Sequence, residues 1–320
     1  SERASLPYEI DGLVIKVNDF NIQKKLGYTS HHPRWAMAFK FKAKQAHTTL
    51  ERVEYQVGKT GAITPVAKIT PTELAGVRIS SISLHNQDFI QSKDLKIGDT
   101  VVIERAGDVI PYIVKSLPEL RNGTEEKIVF PDYCPFFQES KIRLERAKDE
   151  AVWRCPTCLC GKQDVQKMIH FVSKSAMNIE GLGPSIIYRF HDLGWLQSIV
   201  DIYRLDYDKV QALEGFGVQS ANNLKASIDS SKRRPLKQFL SGLAIHHLGK
   251  RASTLIAEQI NHVRDLYNWN EDKYIEIREI GPVLAKNMVD FFTKIENQQT
   301  LEKLIELGVD LRAKADDRAI

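Results

Sequence analysis

Hydrophobic and polar positions alternate through much of the first 130 residues, whereas the rest of the chain follows a helical spacing. Strict alternation over a short run is typical of a strand with one buried face. Turn glycines separate the alternating runs, and together they predict a small β-barrel over residues 47–130. The runs are Val53–Val57, Ala62–Val66 and Thr100–Ile103, and the turn glycines are Gly58, Gly61, Gly76, Gly98 and Gly107.

Residues 1–46 also predict strands and connecting segments. One apolar run follows Gly12, a second spans Ala36–Ala43, and they carry Lys16 and Lys40. Two strands that each direct a lysine into one pocket would suit a nucleotide phosphate, which requires fixed positive charge. The alternative interpretation is a pair of amphipathic strands whose lysines face water, since lysine is mostly a surface residue.

From Val165 onward, four segments share an apolar residue followed by a tight glycine turn that opens a helix. They recur roughly every thirty residues, within the range expected of internal repeats. A glycine turn lets the backbone approach a phosphate and presents N–H groups at a helix start. This predicts tandem helix-hairpin-helix motifs that hold duplex DNA by its backbone. The glycines predicted to make this contact are Gly181, Gly183, Gly215, Gly217, Gly249 and Gly281.

Two of these four segments depart from the short hairpin. The third reads Leu-Ala-Ile-His-His-Leu-Gly-Lys over Leu243–Lys250, and the fourth, Ile277–Pro282, has a single glycine. Both departures favour a chiefly structural role, because glycine also serves packing alone at many helix corners. His246 and His247 have no partner that the sequence identifies.

Charge and composition narrow the class of protein. The 320 residues carry a net charge of +4, with 27 % charged and 42 % hydrophobic residues, as in an ordinary soluble protein. No stretch approaches the ~20 apolar residues of a membrane span, so we expect a cytoplasmic protein. Residues 230–257 contain six basic residues and no acidic one, which indicates a polyanion as partner. A basic surface without a ligand is the alternative.

All four cysteines fall between Cys134 and Cys160. A disulfide framework would be unusual in a long chain with no secretory signal. Clustered cysteines in such a chain more often bind zinc.

Several motifs together resemble bacterial NAD-dependent DNA ligases, from Arg3 to about Leu311. Pro7–Asn18 and the segment around Lys40 are similar to the fourth and fifth nucleotidyltransferase motifs of that family. Three further segments follow in the family's order. They are Gln56–Ala67, Leu84-His85-Asn86 and Arg105–Pro111.

The resemblance implies a multidomain α+β fold. Its parts would be nucleotidyltransferase-domain remnant strands, an OB-fold β-barrel, a small Cys-rich zinc-finger-like module and an all-α tandem helix-hairpin-helix domain. We place the end of the adenylation domain at 1–46 and the OB-fold at 47–130. The Cys-rich module then takes 131–162, the helix-hairpin-helix domain 163–312, and a frayed tail 313–320.

The resemblance also implies a reaction with NAD as AMP donor and Mg²⁺ at the phosphates. An enzyme lysine would take the adenylyl group, AMP would pass to the 5′-phosphate at a nick, and the 3′-hydroxyl would seal the strand. Lys16 and Lys40 would contact the adenylate with Arg3 nearby, while Glu9 and Asp11 would support metal or ribose. Lys59 and Arg105 would grip the DNA backbone around the nick.

The cysteine positions depart from the family's pattern at one place. Cys134, Cys155 and Cys160 match expected zinc ligands, but Phe137 stands where a second cysteine is expected. Cys158 could supply the fourth thiolate, although this crowds three ligands onto one turn. A weak three-ligand site and a metal-free module are the alternatives.

No Lys-x-Asp-Gly motif, which carries the family's adenylated lysine, occurs in this chain. We therefore expect a monomeric part of a ligase that cannot react with NAD alone and that needs an N-terminal adenylation half. Its other partner would be nicked double-stranded DNA. The alternatives are a non-enzymatic nicked-DNA-binding protein and an accessory module of a repair nuclease or helicase.

Overall fold

The computed structural model describes residues 7–8, 10, 12–29, 32–41, 43–106, 110–136, 141–148, 150–156 and 161–313. The chain divides into two compact units. The first unit combines residues 1–56, 63–132 and 146–153, and the second combines 57–62, 133–145 and 154–320. The predicted α+β class is confirmed, since the first unit is mostly strands and the second mostly helices.

The first unit begins with a two-stranded antiparallel ribbon. Strand β1 (Gly12–Lys16) pairs with β2 (Ala36–Lys40), and helix α1 (Phe20–Leu26) lies between them in sequence. Asp19 starts this helix, because its carboxylate accepts the backbone N–H groups of residues 21 and 22 at 2.7 and 3.3 Å.

The barrel of the first unit has five strands in the order β5-β4-β3-β7-β8. Strand β8 also lies beside β5, so the sheet curves back on itself in the manner of an OB-fold. The predicted barrel is therefore confirmed. Its strands are β3 (Gln45–Val57), β4 (Ile63–Leu74), β5 (Val77–Ser83), β7 (Thr100–Ala106) and β8 (Ile110–Ser116). Helix α2 (Gln87–Ser92) precedes a small ladder of β6 (Lys96–Ile97) with β9 (Glu126–Lys127), and a 3-10 turn spans Pro118–Leu120.

Alternation along the strands explains how this barrel fills its interior. Inward-facing aliphatic side chains form one continuous core, while their sequence neighbours face outward. The fully buried members include Leu50, Ala67, Ile82, Leu84, Val101, Ile103 and Ile113.

One buried ion pair ties the segment after β8 to the turn before β7. The side chain of Asp99 is fully buried, and its carboxylate accepts Arg121 Nε at 2.7 Å and Arg121 Nη2 at 2.9 Å. The same carboxylate accepts the backbone N–H of Lys96 at 2.7 Å. The hydrogen bonds to Asp99 and Asp94 raise the pKa of the Arg121 guanidinium, so it stays charged.

We expect Asp99→Asn to lower the free energy of unfolding by about 3 kcal/mol, because it leaves the arginine without its buried counter-charge. Urea unfolding measures this loss. Glu54→Gln is the matched control, since Glu54 pairs with Arg52 on the surface and an exposed pair adds little. Equal stability of Asp99→Asn and the control would contradict the structural role of the buried pair.

The second unit is helical and has a single hydrophobic core. Most of its helices are shorter than the ~12 residues that an isolated helix needs in water, so packing stabilises them. Phe171, Phe190, Phe239, Phe292 and Tyr274 are its largest fully buried side chains. No helix in the described ranges is both long and apolar enough to cross a membrane.

The helices of the second unit follow one another with short connections. They are α3 (Lys162–Val172), α4 (Pro184–Asp192), α5 (Ile199–Ile202), α6 (Tyr207–Ala212), α7 (Val218–Ser231), α8 (Leu236–Gly242), α9 (Lys250–Ala257), α10 (Glu271–Ile275), α11 (Pro282–Phe292) and α12 (Ile295–Glu306), with a 3-10 helix at Val263–Asn268.

Candidate nucleic-acid interface

The four predicted hairpins of the second unit share one turn. In each hairpin, a backbone N–H donates to the carbonyl three residues earlier, at 3.4, 2.9, 3.1 and 3.1 Å in chain order. The donor and acceptor residues are Leu182 and Ile179, Phe216 and Leu213, Leu248 and Ile245, and Ile280 and Ile277. Hairpins three and four therefore close in the same way as hairpins one and two.

The third residue of each turn has a left-handed backbone, as a type II turn requires. It is Gly181 (φ 83°), Gly215 (φ 84°), His247 (φ 65°) and Glu279 (φ 74°). Hairpins three and four thus keep the backbone of the others with a non-glycine residue, at a cost of about 1 kcal/mol each. His247, for which the sequence identifies no partner, thus occupies the left-handed position of the third hairpin turn.

Two residues after this left-handed residue, a glycine caps the next helix in all four hairpins. These are Gly183, Gly217, Gly249 and Gly281, with φ values of −75°, −155°, −94° and −92°. Any residue adopts such extended angles, and a Cβ added at each position would meet no protein atom within 4 Å. Neither strain nor crowding inside the chain requires glycine here. The open space beside each backbone suits a partner that approaches closely.

The helices that these glycines open present unpaired N–H groups. Each capping glycine carbonyl accepts the N–H four residues on, and Gly183 also accepts the Ile186 N–H at 3.1 Å. Pro184 and Pro282 have no N–H, and the other N–H groups of these first turns have no acceptor within the helix. Together with the helix dipole, such groups form a binding site for an anion such as phosphate.

An open groove of about 860 Å³ lies between the first two hairpins. Gly181 and Gly215 line it, together with the neutral polar side chains of Asn178, Ser220 and Asn223. Arg189 Nη1 donates to the Glu214 carbonyl at 2.6 Å and so braces the second hairpin. The groove offers hydrogen-bond donors and the basic Arg189 to a phosphate backbone, and Glu180 is the acidic residue among its described lining.

Lys59, a predicted DNA contact, lies at the turn between β3 and β4 and is half-buried. Its Nζ is 2.8 Å from His170 Nε2 on α3, and the same Nε2 is 2.8 Å from the Ser241 carbonyl. One ring nitrogen cannot donate to a carbonyl and accept from an ammonium together, so the two contacts belong to different tautomers. Burial lowers the pKa of both Lys59 and His170.

Arg105, the other predicted DNA contact in the barrel, lies on β7. Its Nη1 donates to the Ala75 carbonyl at 3.1 Å, in the left-handed turn between β4 and β5. One of its five N–H donors is thereby used to fix the turn. Contact of Lys59 and Arg105 with DNA stays a prediction.

Lys16 and Lys40 lie on one face of the ribbon, at opposite ends. Lys16 is opposite Ala36 and Lys40 is opposite Gly12, with Val14 opposite Ala38 between them. Four residues separate the two ends, about 13 Å along the strand. Long lysine side chains from both ends can reach a ligand over the apolar middle. Three further predicted residues of this site, Arg3, Glu9 and Asp11, lie outside the described residues.

The Cys-rich segment forms short bridges between Tyr133 and Arg143 and between Glu145 and Arg154. Cys134 and Cys155 adjoin these bridges and are buried at 2 % and 3 % exposure. Cys134 donates its N–H to the Ile142 carbonyl at 2.8 Å, and Cys155 to the Gly61 carbonyl at 2.9 Å. The predicted ligands Cys158 and Cys160 and the departure at Phe137 lie outside the described residues.

Models of known protein families match three segments of this chain. The OB-fold domain of NAD-dependent DNA ligases matches residues 47–125, and the adenylation domain of the same ligases matches residues 1–44. A helix-hairpin-helix motif matches residues 238–301.

Similar proteins in bacteria carry the name DNA ligase. Such a protein from Persephonella marina is 50 % identical over 308 residues, which are 96 % of this chain and 43 % of the relative. Relatives from Sulfurihydrogenibium azorense and Aquifex aeolicus are 47 % and 45 % identical, over 97 % and 99 % of this chain and 44 % of each relative. The chain belongs to the NAD-dependent DNA ligase family. It spans less than half the length of these relatives.

Within this ligase family assignment, the barrel confirms the OB-fold that the resemblance implied, and the four hairpins confirm the helix-hairpin-helix fold. The third and fourth hairpins lie in the segment that the helix-hairpin-helix model matches. Their sequence departures therefore do not remove them from the repeat.

We expect Gly217→Asn to weaken binding to duplex DNA about tenfold while the protein stays as stable, because asparagine caps helices well but obstructs close approach. Gly215→Ala is the matched control in the same hairpin. Its left-handed φ makes alanine cost about 1 kcal/mol of stability. Fluorescence anisotropy measures binding and thermal unfolding measures stability. Unchanged affinity of Gly217→Asn would remove this glycine from the interface.

Proposed function

We propose that this chain holds nicked duplex DNA and completes strand joining in an NAD-dependent DNA ligase of replication and repair. The observation that carries the proposal is the shared geometry of the four hairpins, whose capping glycines leave open backbone next to unpaired N–H groups. The same chain carries the ligase OB-fold. A backbone contact of this kind suits a substrate that is recognised by structure rather than by base sequence.

In the proposed reaction, the 3′-hydroxyl at the nick attacks the phosphorus of the adenylated 5′-phosphate. A new phosphodiester P–O bond forms, the bond to AMP breaks, and AMP leaves. Such displacement depends on alignment of the reacting groups and on neutralised charge. The hairpins and the barrel would supply alignment by holding both sides of the nick.

NAD, when bound by a complete adenylation domain, supplies the adenylyl group, and Mg²⁺ neutralises charge on the phosphates. The ribbon fits an adenylate, because Lys16 and Lys40 share one face across the apolar pair Val14 and Ala38. The two ammonium groups would bind the phosphate from opposite ends of that face. We assign Arg3, Glu9 and Asp11 to the same site as supporting groups.

The opposite face of the ribbon is apolar and exposed, which supports a protein partner at this face. Leu13, Ile15, Met37 and Phe39 share this face and are 54–71 % exposed. Contiguous exposed apolar side chains mark an interaction surface. We infer that the rest of an adenylation domain covers this face, and that the complete protein acts as a monomer in the cytoplasm.

Zinc would serve the Cys-rich segment as a structural ion. Cys134 and Cys155 fit this role, because both are buried beside short bridges and thiolates are preferred zinc ligands. Cys160 and Cys158 would complete the set. The ion would replace a hydrophobic core in a segment too short to build one.

We expect the chain to seal a nick that is already adenylated once the N-terminal half of a related ligase is added. Nicked duplexes with a 5′-adenylate, a 5′-phosphate and a 5′-hydroxyl distinguish joining from adenylation, and gel electrophoresis measures the joined strand. Sealing of the 5′-phosphate nick should require both NAD and the added half.

One variant distinguishes the role of the ribbon in the reaction with NAD from the role of the hairpins in DNA binding. Lys40→Gln should reduce NAD-dependent sealing and leave nick binding unchanged. Nick binding without sealing of any substrate, with the added half present, would instead support a non-enzymatic DNA-binding protein. Absence of nick binding by the unmodified chain would contradict the proposal as a whole.

We expect elemental analysis of the purified chain to find about one zinc ion per chain, because four thiolates satisfy a tetrahedral site. Cys155→Ser should lower the zinc content and the melting temperature together. A metal-free chain with an unchanged melting temperature after chelation would show that packing alone holds this segment.

A further inference from the structure

A basic cavity of about 190 Å³ lies beside the third hairpin in the helical unit. It is formed by the segment after α3, by the start of α8 and by α9. Its cationic lining residues are Lys174, Arg234, Lys237 and Lys250, and its neutral ones are Ser175, Gln238, Ser241 and Thr254. None of the described residues that line it is acidic.

Four of the six basic residues of 230–257 fall into two groups. Lys232 pairs with Asp229 at 2.9 Å, and Arg251 pairs with Glu279 at 3.0 Å, so both already have a counter-charge. Within the described chain, no ion pair is formed by Arg234 or Lys250, which meet Lys174 from a distant part of the sequence at the cavity. Such a cluster of positive charge requires an anion to offset its self-repulsion.

Two buried polar atoms of the lining residues have no hydrogen-bond partner. They are Arg234 Nε and Gln238 Oε1. Buried polar groups in proteins are almost always paired, so an orphaned guanidinium N–H indicates a missing acceptor. An acceptor with several oxygens, such as a phosphate, would satisfy the arginine directly.

The cavity volume suits this ligand. It is more than ten times the ~10–15 Å³ that one water molecule needs by the same measure. One tetrahedral oxyanion with a few waters therefore fits, whereas a nucleobase with its sugar and phosphates would not be enclosed.

The third hairpin differs from the others at the residue that follows the capping glycine. Hairpins one, two and four have Pro184, Val218 and Pro282 there, whereas hairpin three has Lys250. Lys250 is both the first residue of α9 and part of the cavity lining. A DNA backbone that contacts Gly249 therefore reaches the cavity at the next residue.

We propose that this cavity binds one phosphodiester group of the DNA backbone, next to the phosphate contact of hairpin three. The inference rests on the proposed function and adds a charged subsite to it. Lys174 and Lys250 bind the phosphate oxygens from the exposed rim, and Arg234 donates from the buried wall. Binding here is independent of base sequence, because only the backbone is contacted.

Salt dependence of DNA binding tests this subsite. The double variant Lys174→Gln/Lys250→Gln should weaken binding to nicked duplex severalfold at low salt, and it should reduce the slope of log affinity against log salt by about 1. Lys294→Gln/Lys303→Gln is the matched control, because it removes the same amount of charge. Lys294 caps α12 and Lys303 lies within that helix, and neither residue lines the cavity. Inorganic phosphate, followed by its effect on the melting temperature, forms a separate arm.

Each outcome decides the proposal. A reduced slope in the cavity variant alone supports a DNA phosphate at this site. Equal losses in both double variants would show a general charge effect and overturn it. Stabilisation by inorganic phosphate that the cavity variant abolishes, with an unchanged DNA slope, would assign the cavity to a free anion instead. Failure of the unmodified chain to bind any duplex would contradict the proposed function first, and this inference with it.

Discussion

The left-handed residue at the third position of each hairpin turn is the constraint on which the helical unit depends. It reverses the chain so that the flanking apolar residues enter the core while the next helix starts at the surface. Ile179 and Leu182 show the arrangement in hairpin one, and Ile245 and Leu248 repeat it in hairpin three. The same turn therefore anchors the hairpin and exposes the N–H groups that can bind an anion.

The turn glycine and the capping glycine of a hairpin are explained by different physical causes. At Gly215 the backbone conformation itself favours glycine, because φ is 84°. At Gly217 the conformation suits any residue and the surrounding space is open. Hairpins three and four have His247 and Glu279 in place of the turn glycine, but both still have the capping glycine. This pattern supports our proposal that the capping glycine serves an external contact.

Local patterns allowed much of this fold to be predicted from the sequence. Alternation predicted the barrel because its strands have one buried face, and glycine spacing predicted the hairpins because tight turns need few residues. Contacts between residues that are distant in sequence could not be predicted from such local patterns. Lys174 joins the basic cavity from about sixty residues before Arg234, and no periodicity links them. The turn position of His247 was not predicted, because a residue other than glycine is uncommon at positive φ.

Lys59 illustrates how burial limits what a sequence motif can say about a site. Its position predicted an exposed DNA contact, whereas its ammonium lies 2.8 Å from His170 Nε2. Burial lowers the pKa of both groups, because it disfavours their charged forms. A DNA phosphate at Lys59 would raise the pKa of the ammonium again and replace a neutral partner with a charged one. His170 could then donate to the Ser241 carbonyl, 2.8 Å away, through the tautomer that the contact with the ammonium excludes. The predicted DNA contact of Lys59 therefore involves exchange of a histidine partner for a phosphate, which the motif alone does not show.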